Sequence, residues 1–218
     1  MQKNHKYNEI DFNNKTILIT GGAGFIGSNL ALYFQDNFPL ANIVIFDIFR
    51  SNTKLVSIIP ASFGHYKNLI GFTGDIICGN LNNINDLAQL KKYEFDYIFH
   101  QAAISDTREY NQEIVIKTNV NSFYDLLEIA KLNHSTLIYA SSAATYGNLD
   151  SPQVIGNESP ENAYGFSKFM MDQIAKRFSI ENPEMRIVGL RYFNVYGQGE
   201  YFKGKTSSMI IQLAHQIL

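Results

Sequence analysis

Tyr164 and Lys168 are four residues apart in the run Tyr164-Gly165-Phe166-Ser167-Lys168. On a helix that spacing puts a phenol and an ammonium on one face. A free tyrosine ionises near pH 10, roughly three units too high for a base at neutral pH, a deficit of about 4 kcal/mol. A positive charge beside the phenol favours its ionised form and narrows the gap, so the pair can work as a general base and then a general acid. A packing tyrosine next to a surface lysine has the same spacing, so the pair carries weight only with a third group. Ser141 and Ser142 supply it, directly after the apolar run Leu137–Ala140, where a hydroxyl could hold a substrate oxygen against the phenol.

A second chemistry lies at the other end of the chain. Gly21, Gly24 and Gly27 punctuate the run Gly21-Gly22-Ala23-Gly24-Phe25-Ile26-Gly27 between a β-branched segment and a helical one. Glycines at those positions let backbone N–H groups and a helix N-terminus approach a pyrophosphate, the pattern of a dinucleotide-binding turn. Phe25 and Ile26 open the helix. Asp47, about twenty residues beyond the last glycine, is placed to accept from a ribose hydroxyl. Arg50 and Lys54 follow and could neutralise a 2′-phosphate; both are equally readable as solvated loop cations. NADP and NAD therefore both stand as cofactors on these residues.

The elements that must carry these groups alternate. Strands are predicted at Thr16–Thr20, Ile43–Phe46, Tyr97–His100, Leu137–Ala140 and Arg186–Leu190, with helices at Phe25–Phe34, Asn119–Leu132 and Tyr164–Phe178. Continuous apolar strands alternating with helices predict an α/β fold, a doubly wound parallel sheet covered on both faces and Rossmann-like in order. The stretch Phe49–Ile70 is the least regular and reads as a loop insertion, and Ser208–Leu218 reads as an unfinished helix. Three segments follow: a polar N-terminal extension at 1–14, a dinucleotide-binding domain at 15–195, and the beginning of a smaller substrate-binding portion at 196–218.

Composition narrows the classes. With 218 residues, 45% apolar and 17% charged, the chain can bury a sizeable core. A net charge of −2 gives no electrostatic case for nucleic acid or an anionic membrane. A single cysteine, Cys78, excludes an internal disulfide, and no apolar run reaches the length of a membrane helix. A cytoplasmic protein is expected, as a homo-oligomer without nucleic-acid or membrane partners, and no metal-ligand cluster is read.

The segments TGGAGFIGSN, HQAAIS, YASSAATYGN, YGFSK and RYFNVYG, in this order and spacing, resemble those of the extended short-chain dehydrogenase/reductases, from about Lys15 to the last residue. The resemblance implies a catalytic set of Ser142, Tyr164 and Lys168. It implies that Asn80 and Leu81 flank an adenine, Asn80 standing where the family usually has Asp. It also implies that Gln101, Ala102, Ala103, Ser105 and Asn119 lie beside the cofactor and that Val195 lies in its nicotinamide loop. Within this group, YASSAATYGN, NAYGFSK and above all RYFNVYG followed by Glu200-Tyr201-Phe202-Lys203-Gly204 resemble the ADP-glyceromanno-heptose 6-epimerases, which implies an ADP-heptose as substrate and a role in lipopolysaccharide core synthesis. That similarity makes Lys54 a cofactor-binding lysine and favours NADP. It places Asn194 and Lys205 at the substrate and makes Lys203 a second acid/base.

A second base is chemically apt. Inverting a carbinol carbon through a ketone puts the oxygen in two places, and one acid/base group reaches only one of them. Without the resemblance, Lys203 reads as a solvated loop lysine. Gln198-Gly199 replaces the usual Pro-Arg in the loop before it, and the similar enzymes continue past residue 218 into the rest of the substrate domain. Ala143-Ala144 stand where the related dehydratases carry Asp-Glu, which argues against elimination. A nucleotide-sugar 4-epimerase and an inactive dinucleotide-binding remnant stay as alternatives.

Overall fold

In a computed structural model, the structure describes residues 10–49 and 64–217; the side chains of residues 204 and 205 lie outside that description. Arg50 and Lys54 fall outside the described residues. The first strand, β1 (Thr16–Thr20), is apolar at its three central positions, Ile17, Leu18 and Ile19, and these are buried on both faces. Such a segment is stable only in the middle of a covered parallel sheet. It lies there, in a six-stranded parallel sheet of order β3-β2-β1-β4-β5-β6. The chain leaves β1 through α1 (Phe25–Asn37) to β2 (Asn42–Asp47) and then β3 (Asp75–Cys78). Through α2 (Ile84–Ala88) it crosses back to β4 (Tyr97–His100) on the other side of β1, Ile17 opposite Tyr97. From there α3 (Gln112–Val115), a π-helical segment (Ile116–Asn121) and α4 (Ser122–Leu132) lead to β5 (Thr136–Ser142), and α5 (Ala163–Glu181) leads to β6 (Ile187–Tyr192). A strap then runs to α6 (Met209–Ile217).

The reversal of strand order between β1 and β4 splays the following loops apart at the C-terminal edge of the sheet, which opens a crevice there. Each face has its own core. Phe34 and Ala31 of α1 pack on Ile17, Ile19, Ile43 and Ile45, while α4 and α5 cover the opposite face through Phe123, Leu126, Leu127, Met171 and Ile174.

The predicted doubly wound α/β sheet is the observed one, with differences at element ends. β3 escaped the sequence reading because it is a four-residue edge strand with one buried position. β5 runs on through Ser141 and Ser142, paired with Arg191 and Tyr192 of β6, so the two serines end the strand rather than follow it. The helix expected from Asn119 begins at Gln112 and passes through a π turn. Of the irregular Phe49–Ile70 stretch, the described part holds a 3₁₀ turn at Tyr66–Leu69.

Candidate active site

α1 starts at Gly24 with no side chain capping its first turn, which leaves N–H groups at the helix N-terminus facing the crevice. A Cβ on Gly27 would collide with the Gly21 carbonyl, so only glycine lets the helix lie this close to the turn before it. The turn is pinned from below. Asp47 Oδ2 accepts from the Ala23 N–H at 2.9 Å and Oδ1 from the Phe49 N–H at 2.8 Å. Burial pushes the Asp47 carboxyl upward, against the pull of those backbone donors.

The proton-transfer groups come from β5 and α5. Asn162 caps α5 by accepting from the Gly165 N–H at 2.8 Å, and this fixes the turn that presents Tyr164. Ser142 Oγ accepts from the Ala144 N–H at 3.1 Å, which leaves its hydrogen for the Tyr164 phenol. Burial nevertheless pushes the phenol above its ordinary range, with Ser142 pulling the other way. Lys168, 1% exposed, sits with Nζ 6.0 Å from the Tyr164 ring centre. Burial pushes its ammonium down to about 8, opposed by the Asp172 carboxylate one helical turn on. Lys168 Nζ is a buried donor with no hydrogen-bond partner among the described residues, and the Ser141 hydroxyl is likewise unpartnered. Polar atoms left this way on a cleft wall are suited to a ligand.

The glycine turn, Asp47, Gln101, Ser141, Ser142, Tyr164 and Lys168 line one cleft of about 860 Å³. Of the residues singled out in the sequence, it gathers Gly21, Gly24, Phe25, Ile26, Gly27, Asp47, Asn80, Leu81, Gln101, Ala102, Ala103, Ser105, Ser142, Tyr164, Lys168, Asn194, Val195 and Lys203. Lys203 enters from the strap, its Nζ 5.8 Å from the Phe25 ring. Asn119 does not line it. Buried in the π turn, it accepts from the Ile104 N–H at 2.8 Å and donates to the Ile104 carbonyl and Ser167 Oγ, bracing the wall behind Lys168.

The cleft also contains residues that no sequence pattern pointed to. Asp106 and Glu109 line the end beyond Ser105, and Thr206, Ser207 and Ser208 line the strap side. Asp106 is held by Arg108, which keeps its carboxyl below the usual range. The SDTRE run offered no spacing rule that would have marked it. Among the described residues no His/Cys/Asp/Glu group could hold a metal, and no helix is long and apolar enough to cross a membrane.

Known proteins share this fold. Helicobacter pylori ADP-L-glycero-D-manno-heptose-6-epimerase is 54% identical with a TM-score of 0.87, over 96% of this chain and 65% of that one. This chain thus spans 65% of the length of that enzyme. A UDP-N-acetylglucosamine 4-epimerase from Methanobrevibacter ruminantium, in complex with UDP-N-acetylmuramic acid, is 25% identical with a TM-score of 0.78, over 94% of this chain and 63% of that one. A dTDP-glucose 4,6-dehydratase from Bacillus anthracis, in complex with NAD, is 25% identical with a TM-score of 0.69, over 85% of this chain and 56% of that one. The sequence also matches one family from Ile17 to Leu218, the sheet, the glycine turn and the Tyr164 helix included. On that match the chain belongs to the NAD dependent epimerase/dehydratase family.

Proposed function

We propose that this protein is a nucleotide-sugar epimerase that inverts C6 of the heptose of an ADP-heptose with NADP, for lipopolysaccharide core synthesis in the cytoplasm. Residues 15–195 form its dinucleotide-binding domain and 196–218 the beginning of its substrate portion, and the working enzyme is a homo-oligomer. The observation that carries this reading is that two separate acid/base groups, Tyr164 on α5 and Lys203 on the strap, line the same cleft. The similarity to the Helicobacter pylori enzyme supports the choice of substrate.

The residues fit a dinucleotide. The uncapped N-terminus of α1 with Gly21, Gly24 and Gly27 would hold the pyrophosphate, Asp47 the adenosine ribose, Asn80 and Leu81 the adenine, and Lys168 and Val195 the nicotinamide end. Arg50 and Lys54, in the sequence just past Asp47, would favour a 2′-phosphate. When bound, the oxidised cofactor supplies a reversible hydride acceptor and a positive charge beside the phenol.

The chain's own work is proton handling. Ser142 holds the carbinol oxygen against Tyr164, which takes the hydroxyl proton in one orientation of the sugar. Lys168 stays mostly protonated at neutral pH, since burial lowers it only to about 8, and its charge favours the phenolate. Lys203 handles the proton when the oxygen has moved to its second position, with Asn194 and Lys205 steadying the substrate between the two.

The test is to incubate the protein with NADP and ADP-heptose and follow the C6 configuration by NMR, with UDP-hexoses as controls. Tyr164→Phe and Lys203→Met should each slow inversion by about a hundredfold or more. Inversion at C4 of a UDP-hexose would instead favour a 4-epimerase. Tight NADP binding with no turnover on either sugar would leave a dinucleotide-binding protein.

A further inference from the structure

The strap that carries Lys203 is fastened to the glycine turn itself. Asn29 of α1 donates from Nδ2 to the Phe25 carbonyl and to the Gln198 carbonyl, both at 2.8 Å. The Ala23 carbonyl accepts from the His65 N–H and from Asn68 Nδ2, each at 3.0 Å. The His65 ring lies flat on Phe202, ring centres 4.0 Å apart and planes 7° apart. Lys203 is the next residue, and the buried Glu200 carboxylate, just before Phe202, accepts from the Ser208 N–H and hydroxyl across the strap. Gly199 takes a left-handed φ of +86° where the strap passes Asn29 and Asn68. A glycine there turns at little cost, which gives a physical use to Gln198-Gly199 in place of Pro-Arg.

We infer that His65 and Asn29 are positioning residues for Lys203, docking the strap on the backbone of Ala23 and Phe25 so that the second base and the glycine turn form one rigid piece. This rests on the proposed role of Lys203. Its consequence is specific: loosening the dock misplaces one amine without removing any group that touches dinucleotide or sugar. A misplacement of about 1 Å can cost on the order of a hundredfold in rate.

Two substitutions separate docking from local folding. His65 accepts from the Lys67 N–H through Nδ1 and so caps the 3₁₀ turn that follows it. His65→Asn can keep that cap but loses the ring; His65→Phe keeps the ring but loses the cap. The chain has no tryptophan, so Phe202→Trp installs a single reporter. Its emission should be shielded from acrylamide in Phe202→Trp alone and with His65→Phe, and exposed with His65→Asn. In the otherwise unaltered chain, His65→Asn should change the acetylation rate of Lys203, read by mass spectrometry, by at least threefold, and His65→Phe should not. With NADP and ADP-heptose, His65→Asn and Asn29→Leu should lower kcat tenfold to a hundredfold with NADP affinity unchanged within twofold, and His65→Phe should restore kcat.

A reporter equally shielded in the His65→Asn and His65→Phe backgrounds, or an unchanged acetylation rate, overturns the inference. A fully active His65→Asn chain beside an inactive Lys203→Met chain also overturns it, and leaves the second base standing. A fully active Lys203→Met chain removes the second base instead, while reporter and acetylation data still decide whether the dock exists.

Discussion

Lys168 shows what a site demands of a single residue. A buried ammonium without a partner opposes folding, and burial lowers its ionisation from 10.5 to about 8. The sign of the pH effect follows. Between about pH 8 and 10.5 the unfolded chain binds the proton and the folded chain does not, so this group makes stability rise with pH across that window. Lys168→Met should therefore raise stability at pH 7, by on the order of 3 kcal/mol from the displaced ionisation, while removing turnover. Calorimetry and the NMR assay on one sample check both halves. His100 behaves similarly at acid pH. It is fully buried, hydrogen-bonded to Thr20 Oγ1 at 2.7 Å, and pushed down to about 3 by burial and then by Lys168. Its contribution is present above about pH 6.5 and is lost as the pH falls from there towards 3. Urea titrations at pH 7 and pH 5 should differ less for His100→Gln than for the unaltered chain. The Tyr164/Lys168 pair was legible in the sequence because its spacing is its mechanism. The burial that sets both ionisations was not, because it depends on β5, β6, α3 and the π-helical segment packing around α5.

Among the elements, α5 and β6 are joined by one guanidinium. Arg191 pairs with Asp172 of α5 at 2.9 Å and with Glu158 of the preceding loop at 2.5 Å, and lies 4.6 Å over the Tyr146 ring. The Tyr139 hydroxyl of β5 donates to the same Asp172 at 2.8 Å, so one carboxylate ties α5 to both strands beneath it. Removing Arg191 leaves two poorly solvated carboxylates facing each other. Arg191→Met should cost about 3 kcal/mol in denaturant unfolding, and Arg191→Met with Asp172→Leu should recover part of it. β1, β2 and β5 were readable because each has a run of mostly buried apolar residues at its centre, and the edge strand β6 was readable from its run Ile187–Leu190. Reading failed at the margin: β3 has one buried position, and the π turn around Asn119 has no local pattern that separates it from an ordinary helix. The docking of the strap lay beyond sequence reasoning for another reason. His65 and Phe202 are distant in sequence, and no periodicity relates them.

For the molecule as a whole, the cleft lies across the junction of its two halves, with the glycine turn, Asp47 and Asn80 from one side and Ser142, Tyr164 and Lys168 from the other. A dinucleotide held there as proposed would touch both halves and would stabilise the folded state by mass action. NADP at a hundred times its dissociation constant should add about 2.7 kcal/mol, seen as a higher melting temperature. Gly27→Ala should abolish that increment, because the added methyl meets the Gly21 carbonyl. The placement of β1 between β2 and β4 has a further consequence, for how the polypeptide is made. During synthesis β1 can pair early with β2, yet its other edge stays bare until Tyr97–His100 has left the ribosome. A nascent chain paused before that point exposes Ile17 and Ile19 along an open backbone edge, a state open to capture by chaperones or by other chains.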